Sequence, residues 1–383
     1  MRSMPFLAVL AAGLAIAGLP ASARAAACAY TAGAARVAVP GSPVGVKPTA
    51  DGCWLFVSLI AGPQGPGVAV LRNEGGAFRL ARFVSTPGQP GGLSLSHDGR
   101  LLAAAAQDRT LLLDVAKLET DAAAALVGEA PQGPGTGAIY AQFALDDRTL
   151  FVSEESREHL AVVDVARALS GAGSAAILGR VPQAHGPVGL ALSADGRRLY
   201  ATSEIATAQM GFPRRCTPPR PGSAPGAPEG VLFVVDVATA VKDPEHSVAA
   251  AWAAGCSPVR VALSPDGATA WVTARSDDAL LAFKTADLKG VQPAPSPERR
   301  KVGRAPVGVL SQPDGGAVWV ANSDRFSSTG EGSLTATPVA AGEARTVASG
   351  KFPRELAFLP SGRTLVATVF GSGELQFVTV QGP

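Results

Sequence analysis

Between Pro187 and Glu204 the chain reads PVGLALSADGRRLYATSE. An apolar run from Val188 to Leu192 meets the polar turn Ser193-Ala194-Asp195-Gly196, and a second run, Leu199 to Thr202, follows. Two β-compatible runs around a turn in which Asp can bond the backbone and Gly can supply φ > 0 predict a β-hairpin. The phrase recurs along the chain. Asp-Gly pairs stand at Asp51-Gly52, Asp98-Gly99, Asp266-Gly267 and Asp314-Gly315, with degenerate copies at Asp146-Asp147 and Ser361-Gly362. A proline lies nine residues before each turn glycine, at Pro43, Pro90, Pro187, Pro258, Pro306 and Pro353; the third copy has Ala138 instead. The successive spacings are 47, 48, 49, 71, 48 and 47 residues. Short strands repeating at ~40–50 residues are the pattern of a β-propeller, in which no unit can bury its faces alone.

Seven copies predict an all-β fold: a seven-bladed propeller of four-stranded antiparallel blades, forming one domain over residues 28–383. The last copy supplies only three strands, near Glu355–Leu359, Thr364–Val369 and Leu375–Val380, while an apolar strand at Ala34–Val39 precedes the first. The N-terminal strand is therefore expected to complete the last blade and close the ring, which removes an exposed edge. The long spacing belongs to blade 4, where a Pro/Gly-rich insertion at 204–230 cannot form a regular sheet. Ala-rich Asp121–Ala125 is expected as a helical turn in a loop, and polar, Pro-rich Gln292–Lys301 as a loop in blade 5, its Arg299-Arg300-Lys301 cluster solvated.

Hydrophobic content of 47% is ample for a core, but aromatics are only 5%, so Ala, Val and Leu must do most of the packing. The first 27 residues read as a signal peptide: Arg2, an apolar stretch Leu7–Leu19, and Ala-x-Ala cleavage options after Ala23, Ala25 or Ala27. No later stretch is apolar enough to suggest a transmembrane segment in the mature chain. Without Arg2 and Arg24 the basic and acidic side chains are equal in number. Nucleic acid or an anionic membrane is thus not an expected partner. The expectation is a periplasmic or secreted bacterial protein, monomeric, with a small molecule or a protein as partner.

Export makes disulfides the default for Cys28, Cys53, Cys216 and Cys256. In an up-and-down blade, with strands A to D running outward from the channel, the B–C and D–A loops share one face. Cys216 falls in a B–C loop and Cys256 in the next D–A loop, whereas Cys28 and Cys53 fall on the opposite face. The topology favours Cys28–Cys53 and Cys216–Cys256. The alternative at Cys28, lipid attachment in a bacterial lipoprotein, lacks the usual apolar residue three positions upstream, where Ala25 stands.

Second strands read LFVSEE (150–155), LYATSE (199–204), AWVTAR (270–275) and VWVANS (318–323); third strands LLLDVA (111–116), AVVDVA (161–166) and FVVDVA (233–238) end in Asp-Val. After a Pro-x-Gly start and an Asp-Gly turn, this resembles the YVTN-repeat propellers of the lactonase-like seven-bladed superfamily, over roughly Pro43–Val380. The resemblance implies exported proteins with binding roles or lactone hydrolysis at the central channel. Its matched positions are turns and core, so it is specific for fold and weak for function.

Chemistry in propellers usually sits at the channel mouth on the face of the D–A and B–C loops. The residue two after the repeat proline begins strand A near that mouth: Gly45, Gly92, Tyr140, Gly189, Arg260, Gly308 and Glu355. Tyr140, Arg260 and Glu355 break the glycine pattern, and Arg354 adjoins one of them. These four are the leading ligand-binding candidates, with Lys47 and Gln142 two residues further along strand A. The bland alternative is an Arg–Glu ion pair in the funnel. A lactonase would need a divalent metal or an acid/base carboxylate, for which Glu154, Glu204, Asn322 and Glu355 are the oxygen ligands on offer. No motif demands one, and no cofactor is predicted. Scattered histidines and the absence of HExxH, CxxCH, G-x-S-x-G or Walker sequences argue against zinc, covalent haem, a serine elbow or a phosphate loop. A binding protein using the loop-rich face and channel mouth is therefore the first expectation, and a lactonase-like hydrolase the second.

Overall fold

A computed structural model describes residues 28–31, 35–120, 122–216 and 226–380; the expected signal peptide lies outside them. Seven sheets stand around a central channel. Blade 4, for example, comprises His185–Leu192, Arg198–Ile205, Val231–Asp236 and Val248–Ala253, strands A to D from the channel outward. Strands A of neighbouring blades contact one another around the ring, including Pro43–Pro48 of blade 1 against Pro353–Phe358 of blade 7. Arg36–Ala38 pairs antiparallel with Glu374–Thr379, so the N-terminal strand completes the last blade and closes the ring. No helix among the described residues is long and apolar enough to cross a membrane.

The A–B turns form as their sequence dictates. In five copies the turn glycine of an Asp-Gly pair lies in the left-handed region, at φ +70° to +77°. In blade 3 Asp147 occupies that position itself, at φ +53°; a short polar side chain tolerates this conformation better than most. Its carboxylate also accepts the backbone N–H groups of His97 and Asp98 in the neighbouring turn. The Asp-Val ends of third strands have an equally local cause. Asp164 and Asp236 are N-caps, accepting from the N–H of Arg167 and Thr239 at the start of short helices Val165–Leu169 and Val237–Lys242.

Two corrections fall in blade 5. The segment expected as a loop at 292–301 supplies the blade's outer strand, Glu298–Lys301, and just before it Gly290–Gln292 adds a fifth, parallel strand to blade 4. Arg300 is not solvated: it stacks 4.9 Å from the Trp271 ring and donates to the Pro338 and Val339 carbonyls. Unpaired strand edges outweigh the low β-propensity of this polar stretch. The disulfides pair as the topology required, Cys28–Cys53 and Cys216–Cys256. The second ties the blade-4 insertion to the loop before blade 5, and Arg215 beside it pairs with Glu229 and Asp277.

A hydroxyl in strand B clasps each pair of blades wherever the sequence offers one. Thr202 accepts from the Gly189 N–H at 3.0 Å in its own blade and donates to the Val259 carbonyl of the next blade at 2.9 Å. Ser58, Ser153, Thr273 and Thr368 repeat this arrangement. The clasp fixes the two channel-lining residues after each repeat proline. Thr202→Val keeps the side-chain shape but strands a buried donor and acceptor, so a loss of about 1–2 kcal/mol is expected from denaturant unfolding. An unchanged midpoint would mean that water replaces the clasp.

Candidate functional site

Side chains from blades 3, 5 and 7 meet across the channel. Glu355, 6% exposed, accepts from Arg260 Nε and from the Tyr140 hydroxyl, each at 3.4 Å, and Arg260, 3% exposed, stacks 4.6 Å over the Tyr140 ring. These blades are not neighbours, so the three groups form a plug across the axis. Strand A brings them there because the equivalent positions elsewhere are glycine: a Cβ on Gly92 would lie 2.3 Å from the Tyr140 ring, and one on Gly189 2.8 Å from the Arg260 Cα. Burial, then the nearby Glu355 charge, hold the Tyr140 hydroxyl well above its usual range, so it is a proton donor at neutral pH.

On the loop-rich side of the plug lies a ring made by the residue after each repeat proline. Val188, Val259 and Val307 pack together there, with Ile139 and Phe352 against them. Blade 7 places Arg354 at this position. Its guanidinium lies over Phe352 at 5.6 Å and Phe370 at 5.5 Å, its Nε is buried, and it makes no hydrogen bond or ion pair among the described residues. Burial first, then the Arg260 and Arg325 charges, lower its pKa to about 10. Arg325 continues the array over Phe352 (4.7 Å) and Phe326 (5.4 Å), and Arg275 approaches Phe326 from the other side at 5.9 Å. Phe352 holds this arrangement from the left-handed region, at φ +57°, where a bulky side chain is uncommon. At the rim Glu155 is held above the usual carboxylate range by desolvation and then by Glu204.

Lys47 and Gln142 lie at the other end. With Tyr140 and Glu355 they line a funnel of about 460 Å³ opening among the A–B turns, beside His97, Ser193 and Pro265. Two residues along strand A suffice to carry a side chain past the plug.

The four proposed oxygen ligands do not come together. Glu154 turns outward to Arg180 on its blade's last strand (2.8 Å), Glu204 pairs with Arg275 (2.8 Å), and Glu355 belongs to the plug. Asn322 donates to Ser333 and Thr335 within blade 6. Among the described residues no three His, Cys, Asp or Glu form a metal-ligand group. A strand end on the right face does not fix direction, and an arginine in reach captures each carboxylate. Conversely, the sequence singled out Arg354 but neither its phenylalanine partners nor Arg325 and Arg275 beside it. The signal for the array was one position away: Val44, Gly91, Ile139, Val188, Val259 and Val307 make Arg354 the lone charge in its column.

The geometry defines a seven-bladed β-propeller with a plugged, cation-rich channel. The chain matches no family model and no curated protein sequence. Among solved structures it is similar to Kuenenia stuttgartiensis hydrazine synthase, with TM-score 0.66 and 14% identity over 89% of this chain and 96% of that one. It is also similar to the Cps50 (Swd1) β-propeller domain of Myceliophteria thermophila, with TM-score 0.62 and 16% identity over 89% and 97%. At such identities the likeness is one of fold.

Proposed function

We propose that the protein is an exported binding propeller that takes an anionic ligand at the loop-rich mouth of its channel. The observation that carries this reading is Arg354, a half-buried guanidinium that makes no hydrogen bond or ion pair among the described residues. Stacking on phenylalanine occupies the faces of a guanidinium and leaves its N–H edges free for the two oxygens of a carboxylate. The surrounding Phe352 and Phe370 suit a planar, apolar body behind that carboxylate. Export rests on the leader-like first 27 residues and on two disulfides, which persist in oxidising compartments. The YVTN-repeat resemblance fits the same reading. Its hydrolytic variant calls for a carboxylate or metal to activate water, and the candidate carboxylates here are committed to arginines.

Calorimetric titration with benzoate tests the proposal. Wild-type protein is expected to bind it, and Arg354→Gln to bind at least about tenfold more weakly, as loss of a charge-assisted bond implies. Equal affinities, or no binding to either, would overturn it.

A further inference from the structure

The funnel on the A–B turn face is a second, separate site, walled off from the loop-rich mouth by the Tyr140–Arg260–Glu355 plug. Its floor and wall differ in character. At the floor stands Lys47, which makes no hydrogen bond or ion pair among the described residues. Burial holds its ammonium below the usual range; Glu355 opposes that effect and Arg260 adds to it. Glu355 cannot neutralise the floor, because it already answers Arg260. Lys47 and Arg260 thus face one carboxylate, and the axis carries an excess positive charge at the half-buried foot of the funnel, where an unpaired charge is costly. The wall above is branched and apolar: Leu145, Leu192, Leu263 and Leu310 line it and keep exposed surface. Besides Lys47, the ionisable groups lining the funnel are Tyr140 and Glu355 in the plug and His97 at the rim, and His97 is held by Asp147 at 2.8 Å. A volume of about 460 Å³ is that of about fifteen waters at ~30 Å³ each, enough for a short hydrocarbon chain.

We propose that this funnel binds a medium-chain aliphatic carboxylate, its head group on Lys47 and its chain along the branched wall. The carboxylate supplies the missing negative charge, and each methylene leaves water for apolar surface. A benzoate-sized ring at the opposite mouth competes for neither group, so this site stands or falls independently of Arg354.

The test is calorimetric titration of the full mature chain with butanoate, hexanoate and octanoate, with 1-octanol as the uncharged control. Affinity is expected to rise about fourfold per added methylene until the funnel is full. Octanol should bind at least about tenfold more weakly than octanoate, and Lys47→Met should erase that difference while leaving benzoate binding intact. Octanoate affinity should also fall as pH rises, and at lower pH than for a solvated lysine, because burial makes Lys47 lose its proton earlier. Ala191→Phe narrows the funnel while keeping Lys47 and should reduce octanoate binding more than butanoate binding. Thermal unfolding of each variant without ligand reports whether it folds. No octanoate binding to folded wild type, or octanoate binding unchanged by both substitutions, would overturn the proposal.

Discussion

Glu355→Gln is expected to destabilise the propeller by about 3 kcal/mol, although glutamine keeps the shape of the side chain. Glu355 is the carboxylate of the channel plug, and Lys47, Arg260 and Arg354 all lie within its electrostatic reach. Removing one partner of a buried pair leaves the other charge uncompensated, at a cost of ~3–5 kcal/mol. The two contacts to Glu355 are 3.4 Å long, at the weak end of hydrogen-bond geometry, which points to the lower figure. Denaturant midpoints at unchanged slope measure the loss. The pair itself is isolated by a double-mutant cycle. Arg260→Met in the Glu355→Gln background should recover at least about 1 kcal/mol, because the stranded guanidinium is gone. A loss below about 1 kcal/mol in the single variant would mean that water reaches the plug and screens it.

The repeat made the fold legible. Its period set the blade count, the missing fourth strand of the last copy set the closure, and both bridges followed from the faces on which the loops fall. What failed to read through was polar sequence at a sheet edge: Glu298–Lys301 has little strand propensity, yet the open edge of blade 5 recruits it. The plug was half legible. Departures from glycine at the second position after the proline singled out Tyr140, Arg260 and Glu355, because a side chain there must cross toward the axis. Direction along the channel was not legible, and Lys47 and Gln142, assigned to the loop-rich mouth, line the opposite funnel. The carboxylates at strand ends failed for another reason. Their partners, Arg180 and Arg275, come from a different strand and a different blade, and no local spacing announces such a pairing.

Arg354→Val is expected to do the opposite of Glu355→Gln and raise the stability of the ligand-free protein, by about 2 kcal/mol. Valine is what blades 1, 4, 5 and 6 carry at this position, and it would join Val188, Val259 and Val307 in the ring. The substitution removes a half-buried charge that Arg260 and Arg325 repel more than Glu355 and Glu155 attract it. Exchanging buried charge for apolar packing commonly stabilises by ~1–4 kcal/mol, and partial exposure places this case in the lower half of that range. A pH dependence goes with it. In the folded protein Arg354 releases its proton near pH 10, whereas the unfolded chain keeps it to the ordinary, higher value. Between those limits the unfolded state binds more protons, so wild-type stability rises with pH there. The penalty is fully present below about pH 10, and the advantage of Arg354→Val should narrow above it. Benzoate should fail to bind the stabilised variant, the usual relation between a strained site and its function. If Arg354→Val instead lowers the midpoint at neutral pH, the guanidinium is a structural bridge between Phe352 and Phe370, and the ligand must be sought elsewhere on the propeller.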